Sequence, residues 1–316
     1  MKIIRGIVPL LAAATLLVGV TACSSETESP EQSSETSAAA GTGTVGDISE
    51  GVEADPAVVA LLPAATKEKG SITVAMDLKY PPTSFMNEDN EPAGYNVDIA
   101  RLLAAKMGLE LEIEDVSFST IVPGLTGGRF DFTATNMSAT PERLEQLDMI
   151  NYWRDGSGLA VAAGNPKELD INTDSICGTQ IAVMTGSTQE QTYLPMLSDK
   201  CTADGKDAVE TVTLPDLNTA LTQLSSGRIE GIFADLPQLA WAVAQQSSQF
   251  GLAEGLFEKP ADLGTDLVAI GLAKGSPLTP AMQAAMQSII DSPLYQEALD
   301  NWGLSDGAIE TADIAG

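Results

Sequence analysis

Two stretches of this chain repeat one pattern, and that repeat constrains the fold more than any other feature. Leu125–Asn136 and Leu224–Asp235 align without a gap: in each, a helix ends, Gly-Arg turns the chain, an acidic residue starts a strand and a polar residue closes it. Open α/β sheets bind ligands outside the carboxyl ends of their strands. Two such units that face each other would place Asn136 and Asp235 on opposite walls of one cleft. Because Gly-Arg turns after helices are common, a chance similarity is the alternative.

Predicted strands and helices alternate along both halves of the chain, which indicates an α/β fold with mostly parallel sheets covered on both faces. A helix from Asp55-Pro56 to about Lys67 precedes the first strand. The predicted strands are Ser71–Met76, Leu109–Ile113, Phe130–Thr135, Ile181–Met184, Val209–Thr213, Ile229–Ala234 and Leu267–Leu272. The predicted helices are Ile99–Met107, Thr120–Leu125, Gln189–Leu197, Leu217–Leu224, Thr279–Ile290 and Pro293–Trp302.

A candidate anion site follows the strand Phe130–Thr135. Thr140 is a good helix N-cap and Pro141 suits the first helical position, so backbone N–H groups at this helix start lack partners. Arg143 stands in the first turn, where a cation opposes the helix dipole. A bound carboxylate would remove that conflict. The alternative is an Arg143 side chain that pairs with Asp131 or Glu142 on the surface.

If the two repeat units face each other, their polar residues form a recognition set for a zwitterion. Arg143, with the amides and hydroxyls around Asn136 and Ser138, offers bidentate donors to a carboxylate. Asp235 on the opposite wall accepts from an ammonium group. Because buried ions need partners, each half of this site is energetically favourable when the ligand supplies the opposite charge.

Further cleft candidates lie in loops that follow strands. Tyr80 and Phe118 could enclose a ligand side chain, but each could equally be part of a small satellite core. Ser187 and Thr188 could add hydroxyl groups or a second anion contact, or only cap the next helix. Asp235 could likewise act as a helix N-cap.

Charge and residue usage exclude several classes of function. The formal net charge is −28, and such a surface repels phosphate backbones, which argues against nucleic-acid binding. The chain has no His, so it has no His-based catalytic triad and no His-ligated zinc. No cofactor is expected. Cys177 and Cys201 form an even pair; a disulfide is the expected outcome in an oxidising compartment, and two separate buried thiols are the alternative.

The N-terminus predicts export from the cytoplasm. Residues 1–22 carry Lys2 and Arg5 before an apolar run that is too short to span a bilayer, which is typical of a secretory signal. The end of this segment, up to Cys23, resembles the lipobox of bacterial lipoproteins, which implies a lipidated Cys23; a plain signal peptide is the alternative. Residues 24–51 are polar and predict a disordered tether.

Several motifs together resemble one family, the bacterial extracellular solute-binding proteins, family 3, which are receptors of polar amino-acid ABC importers. The resemblance covers about residues 70–303 and rests on Tyr80-Pro81-Pro82, Gly94–Ala100, Ile121–Leu125, Gly128–Asp131, Thr140–Arg143, Gly186–Glu190 and Asn301–Leu304. It implies that Arg143 and Ser138 hold the ligand carboxylate, with Asn136 beside them. It also implies that Ser187 and Thr188 line the site, that Asp235 holds the ammonium group, and that Tyr80, Phe118 and Asp77 contribute to it.

The resemblance implies a two-lobed periplasmic-binding-protein-like fold of type II, with two hinge strands near Gly156–Ala162 and Gly264–Ala269. We expect a signal peptide at 1–22, a lipidated tether at 23–51, a first lobe at 52–158 and 267–316, and a second lobe at 159–266. The expected function is a monomeric, lipid-anchored extracytoplasmic receptor that closes on a free amino acid and delivers it to an ABC permease. The alternatives are a cleft enzyme resembling cyclohexadienyl dehydratase and a chemosensory lipoprotein.

Overall fold

The computed structural model describes residues 46–260, 263 and 266–316. The predicted signal peptide, Cys23 and residues 24–45 of the predicted tether lie outside the described residues. The last tether residues, 46–51, are described and pack on the folded part. Asp47 forms an ion pair with Arg101 at 3.5 Å, and the half-buried Ile48 packs against the core. The folded part therefore begins earlier than the predicted boundary at residue 51.

Two short helices precede the first strand, where the sequence predicts one. Helix α1 (Pro56–Leu61) begins after Asp55, whose carboxylate accepts a hydrogen bond from the Ala57 amide at 2.9 Å. Helix α2 (Ala64–Lys69) follows after Pro63. Pro63 has no N–H and disfavours helical geometry in the residue before it, so it divides the predicted helix in two.

The first lobe contains a five-stranded sheet in the order β5-β1-β6-β13-β7. Strand β1 pairs in parallel with β5 and β6, whereas β13 runs antiparallel to β6 and β7. Every residue of β1 is buried, as expected for a strand covered on both faces. The strands are β1 (Ser71–Met76), β5 (Glu110–Asp115), β6 (Phe132–Thr133), β7 (Leu147–Arg154) and β13 (Leu267–Ala273). The helices are α3 (Tyr95–Met107), α4 (Ile121–Thr126), α5 (Pro141–Gln146), α9 (Thr279–Ile290) and α10 (Pro293–Asn301).

The second lobe repeats this arrangement with the order β10-β9-β11-β8-β12. Strand β9 is parallel to β10 and β11, and β8 is antiparallel to β11 and β12. The strands are β8 (Ser157–Ala162), β9 (Gln180–Met184), β10 (Glu210–Leu214), β11 (Gly231–Asp235) and β12 (Phe250–Leu252). The helices are α6 (Leu194–Ala203), α7 (Leu217–Ser225) and α8 (Leu236–Gln245), and a π-helical turn, Gln189–Tyr193, leads into α6. The two-lobed α/β fold predicted from the sequence is confirmed.

A small antiparallel sheet of β2 (Lys79–Tyr80), β3 (Ser84–Met86) and β4 (Pro92–Ala93) follows β1. The sequence predicts only an irregular loop after Tyr80. Strands of two or three residues are too short to show an alternating pattern, so this sheet has no clear sequence signal. It holds Tyr80 at the edge of the cleft between the lobes.

The chain crosses between the lobes at Asp155-Gly156 and returns just before β13. The Asp155 amide donates to the Asp266 carbonyl at 2.9 Å, so the two crossings are hydrogen-bonded to each other. Gly264 and Thr265, in the second predicted hinge strand, lie outside the described residues. The chain enters the second sheet at Ser157, which pairs with Asp235.

The predicted disulfide is present. Cys177 and Cys201 are bonded, with their Cα atoms 5.7 Å apart, and the bond ties the segment before β9 to helix α6. Cys201 is buried in the core of the second lobe.

Candidate ligand-binding cleft

A cavity lies between the two lobes, at the carboxyl ends of the strands. It encloses about 510 Å³ of space, including space open to solvent at its mouth. Eight of the nine sequence-predicted ligand residues line it, and Asp77 does not. The lining residues are Tyr80, Thr83, Phe118, Thr135, Asn136, Ser138 and Arg143 from the first lobe, and Met184, Ser187, Thr188, Gln189, Ala234, Asp235 and Gln238 from the second.

Arg143 is held in the cleft by neutral partners. Its Nη1 donates to the Ser138 carbonyl at 3.0 Å and to Thr188 Oγ1 at 3.3 Å, and its Nη2 donates to the Gly186 carbonyl at 3.0 Å. Within the described residues no carboxylate lies at ion-pair distance from this guanidinium. Its side chain is therefore a buried cation without an anionic partner, and surface pairing with Asp131 or Glu142 is not observed.

The local sequence explains the position of Arg143. Thr140 caps helix α5 and accepts a hydrogen bond from the Arg143 amide at 3.4 Å, as predicted. The guanidinium carbon lies 5.6 Å from the centre of the Phe118 ring. Burial lowers the pKa of Arg143, and the negative charge of Asp235 opposes this shift. An anion that approaches Arg143 therefore lowers the free energy of this buried cation.

Asp235 ends β11 on the opposite wall. Its Oδ1 accepts from Gln189 Nε2 at 2.8 Å, and its Oδ2 accepts from Asn136 Nδ2 at 3.5 Å. Loss of water around the carboxyl raises the pKa of Asp235 to about 6, while the two amide donors and Arg143 act in the other direction. Asp235 occupies an N-cap position of α8 but makes no capping hydrogen bond through its side chain, so the capping alternative fails.

The other predicted residues have mixed roles. Tyr80 is buried and packs with core residues of the second lobe, so it lines the cavity and also belongs to a core cluster. Phe118 is half-buried and packs against a core cluster of the first lobe. Ser187 Oγ accepts from the Glu190 amide at 3.1 Å, which is a capping contact, whereas Thr188 contacts Arg143.

Asp77 lies behind the cavity wall. Its side chain is fully buried, and its Oδ2 accepts from the Phe118 amide at 2.9 Å, while Lys79 Nζ is 3.7 Å from its Oδ1. Burial raises the pKa of Asp77. Asp77 does not line the cavity, and its carboxylate fixes the backbone at Phe118, which does.

Sequence reasoning missed several lining residues. Gln189 lies inside the Gly186–Glu190 motif, and that position was the available signal. Thr83 follows the Pro81-Pro82 pair, and Thr135 directly precedes Asn136. Gln238 lies on α8, for which no helix bounds were predicted, so nothing in the local sequence indicated its role.

A smaller cavity adjoins the cleft at the hinge and shares Asn136, Ser138 and Asp235 with it. Burial raises the pKa of Asp155 well above its usual range, and the charge of Asp235 adds to this effect. Lys259 Nζ lies 2.8 Å from Asp266 Oδ1 in the same region.

The part of the chain that the structure describes offers neither a metal site nor a membrane-spanning helix. No group of three or more His, Cys, Asp or Glu side chains in this part of the chain could hold a metal ion. None of its helices combines the length and the apolar composition required to cross a membrane.

The chain folds into two α/β lobes that are joined by two crossings. A cation and an anion stand on facing walls of the cleft between them. This arrangement is that of a two-lobed solute-binding receptor. The chain belongs to the bacterial extracellular solute-binding proteins, family 3, whose family model matches residues 72–305. It therefore acts outside the cytoplasm as a solute receptor, and the family resemblance seen in the sequence is confirmed.

Individual relatives agree with this assignment. The arginine-binding protein ArgT of Corynebacterium glutamicum is 30% identical over 261 residues, which cover 82% of this chain and 83% of that protein. The ABC transporter arginine-binding protein 1 of Escherichia coli is 25% identical and covers 76% of this chain and 92% of that protein. The amino-acid ABC transporter protein AbpA of Streptococcus pneumoniae, solved with L-arginine, has a TM-score of 0.66 at 22% identity, covering 77% of this chain and 99% of that one, and so shows the shared fold.

Proposed function

We propose that this receptor binds a free amino acid with a basic side chain, arginine being the first candidate, and presents the closed form to an ABC permease. The observation that carries the proposal is that Arg143 and Asp235 line one cavity from opposite lobes. Arg143 binds the ligand carboxylate and Asp235 binds its ammonium group. Each charged residue then gains the partner that it lacks in the cleft.

Closure follows from contacts that the ligand makes with both lobes at once. Arg143 belongs to the first lobe and Asp235 to the second, so a bound zwitterion stabilises the form in which the two lie close together. A ligand shifts a conformational equilibrium only by its difference in affinity for the two forms. A zwitterion that touches both walls binds the form in which the walls lie close together much more tightly than the form in which they are apart.

The preference for a basic side chain rests on charge around Tyr80. Burial raises the pKa of the Tyr80 hydroxyl, and the negative charges of Asp77, Asp216 and Asp235 raise it further. That wall of the cavity therefore favours a cationic group, and the faces of Tyr80 and Phe118 can stack against it. The names of the relatives in Corynebacterium glutamicum and Escherichia coli support arginine as the first ligand to test.

We propose that residues 1–22 are removed on export, that Cys23 is lipidated, and that the monomeric receptor is held at the outer face of the cell membrane. One acyl chain anchors a protein only weakly, whereas two or more anchor it stably. Replacement Cys23→Ser should release the receptor into the medium, and a variant that stays in the membrane fraction would contradict the anchor.

The cleft is proposed to bind its ligand without chemical change. The carboxylates in it serve recognition, because Asp235 is held by two amide donors and Arg143 lies within reach of its charge. Mass spectrometry of arginine recovered after prolonged incubation should show unaltered ligand. Aromatic product formed from arogenate or prephenate would favour the enzyme alternative instead.

The test is a thermal-shift and calorimetric screen of free amino acids. A ligand present at about 100 times its dissociation constant adds about 2.7 kcal/mol to stability. Arginine should give the largest shift, and Arg143→Ala and Asp235→Asn should each remove most of it. Arg129→Ala is the matched control, because Arg129 is an exposed arginine of the same lobe that lies outside the cleft. Arginine binding that is as tight in both cleft variants as in wild type would refute the proposed site.

A further inference from the structure

We infer that Tyr152 and Asn96 are positioning residues for the ligand site: through a directed chain of hydrogen bonds they hold the Asn136 side chain with its NH2 group toward Asp235. Neither Tyr152 nor Asn96 lines the cavity. The functional consequence rests on the proposed role of Asp235 as the acceptor of the ligand ammonium group.

The chain of contacts runs from the core of the first lobe to the cleft. The Tyr152 hydroxyl donates to Asn96 Oδ1 at 2.7 Å, and Asn96 Nδ2 donates to Asn136 Oδ1 at 2.9 Å. Asn136 Nδ2 then donates to Asp235 Oδ2 at 3.5 Å. Asn96 Nδ2 also donates to Ser84 Oγ at 2.9 Å. Tyr152 and Asn96 are both fully buried, so water does not compete for these bonds.

The direction of the chain is fixed by its two ends. An ionised Asp235 accepts hydrogen bonds and donates none, so Asn136 must turn its NH2 group toward it. The Asn136 oxygen then faces Asn96, which must supply a donor, and the Asn96 oxygen in turn faces the Tyr152 hydroxyl. Burial raises the pKa of Tyr152, which keeps this hydroxyl protonated as the donor. The reverse orientation would set the Asn136 oxygen against a carboxylate oxygen.

The backbone at Asn136 adds to the need for an outside constraint. Its φ is +31°, in the left-handed region that Asn tolerates better than most residues other than glycine. Asn136 stands in the segment between β6 and α5, so its own backbone belongs to no helix or strand. Asn96 is the residue that holds its oxygen.

This chain of hydrogen bonds from Tyr152 through Asn96 to Asn136, the relay, matters because it completes the support of Asp235. Gln189 Nε2 fixes Oδ1 and is itself fixed by Ser157 Oγ at 2.9 Å, while Asn136 supports Oδ2. The two oxygens are thus held from opposite lobes, and their remaining lone pairs are free for a ligand ammonium group. The hydrogen bonds from Gln189 and Asn136 also favour the ionised carboxylate that an ammonium group requires.

The other titratable groups around Asp235 also influence its pKa. Arg143 favours the charged carboxylate. The negative charge of Asp235 raises the pKa of Asp155, Tyr80 and Tyr193, each of which is also raised by burial. Lys259 and Asp266 line the adjoining cavity. With these groups unchanged, loss of the Asn136 donor should raise the pKa of Asp235.

The experiment compares two buried tyrosines. Tyr152→Phe removes the hydroxyl that starts the relay. Tyr295→Phe is the matched control: the Tyr295 hydroxyl is also buried, donates to the Tyr152 carbonyl at 2.8 Å and accepts from the Ile309 amide at 3.0 Å, but it has no contact with the relay side chains. The readout is the pKa of the Asp235 carboxyl in the ligand-free protein, followed by 13C NMR titration and assigned with Asp235→Asn.

Tyr152→Phe should raise that pKa by about half a unit or more, and Tyr295→Phe should leave it unchanged. Asn136→Ala, which removes the donor itself, should raise it at least as much, and the double variant Tyr152→Phe/Asn136→Ala should equal Asn136→Ala alone. An unchanged pKa in Tyr152→Phe, or additive shifts in the double variant, would overturn the relay.

Arginine binding is measured in parallel and separates the two proposals. At pH 7 the dissociation constant should rise about three- to tenfold in Tyr152→Phe, and stay within twofold in Tyr295→Phe. If the carboxyl titration responds as expected while the wild-type protein binds no amino acid, the relay stands and the proposed function fails.

Discussion

Trp241, on helix α8 of the second lobe, packs against Phe85 of the first lobe with ring centroids 6.1 Å apart. Phe85 in turn packs against Trp302 in a T-shaped arrangement, with ring centroids 5.7 Å apart, and the Trp302 indole donates to the buried Asp98 carboxylate at 2.7 Å. The lobes are thus joined by an aromatic contact, Phe85–Trp241, among residues that do not line the ligand cavity. We expect this contact to favour the arrangement in which the two lobes lie close together, with or without ligand.

Loss of the aromatic contact should open the receptor. Aromatic pairs contribute about 0.5–1.5 kcal/mol beyond the area that they bury, so Trp241→Ala should weaken ligand binding about two- to tenfold. Small-angle X-ray scattering should show a larger radius of gyration for the ligand-free variant. Trp241→Phe keeps an aromatic ring and serves as the control. Equal affinity in the Ala and Phe variants would show that the contact does not contribute to closure.

Ligand binding should weaken in acid because Asp235 must be ionised to hold an ammonium group. The pKa of Asp235 is raised to about 6 in the ligand-free cleft, chiefly by loss of water. Binding therefore has to remove a proton below this pH, and affinity should fall about tenfold for each unit of pH below about 6. Calorimetry at pH 5 in buffers of different ionisation enthalpy should detect the released proton. A flat profile from pH 7.5 to pH 5 would be incompatible with an ionised Asp235 in the bound state.

The contribution of Asp98 to the free energy of unfolding should fall as pH rises. Burial raises its pKa from 3.8 to about 6, whereas the hydrogen bond from Trp302 acts in the opposite direction. The folded state thus holds the proton more tightly than the unfolded state, so this group's contribution is largest at low pH and is lost as pH rises through about 6. The difference corresponds to about 3 kcal/mol, at about 1.4 kcal/mol per pKa unit.

Denaturant unfolding of Asp98→Asn and wild type at pH 4.5 and pH 7 measures this effect. Asn can still accept from the Trp302 indole but does not titrate. The variant should therefore gain stability relative to wild type between the two pH values. A constant difference between the two proteins would mean that Asp98 titrates normally.

The disulfide should affect stability and leave binding unchanged. Cys177 and Cys201 are 24 residues apart in sequence, and neither lines the cavity. Loss of the bond should lower the free energy of unfolding by about 2–4 kcal/mol. The double variant Cys177→Ser/Cys201→Ala, compared with oxidised wild type, gives this value by chemical denaturation. Its arginine affinity should stay within about twofold, and a larger loss would indicate that the bond shapes the cleft.

Much of the cleft could be predicted because its residues follow strand ends. Asn136 and Asp235 occupy matching positions in the repeat, and the structure brings their side chains together across 99 residues of sequence. The Thr140–Arg143 motif also predicted both a helix start and a cation in the cleft. In these cases the local pattern and the place of a strand end in the sheet were sufficient.

Other elements left no usable local signal. Strand β7, Leu147–Arg154, follows α5 without a turn residue and is buried along nearly its whole length, so it shows no clear alternation. Asp77 could be placed after a strand, but its partner is the amide of Phe118, 41 residues further along the chain. The orientation of Asn136 depends on Asn96 and Tyr152, which are distant in sequence. Such contacts are set by tertiary packing.

Calorimetry with arginine and two analogues shows whether one zwitterion joins Arg143 to Asp235. Agmatine lacks the carboxylate, and 5-guanidinopentanoate lacks the ammonium group. Because truncating one member of a buried charge pair costs about 2–5 kcal/mol, each analogue should bind at least about 30-fold more weakly than arginine. Arg143→Ala should bind arginine and agmatine with about equal affinity. Asp235→Asn should bind arginine and 5-guanidinopentanoate with about equal affinity. Wild-type protein that binds either analogue as tightly as arginine would contradict the account.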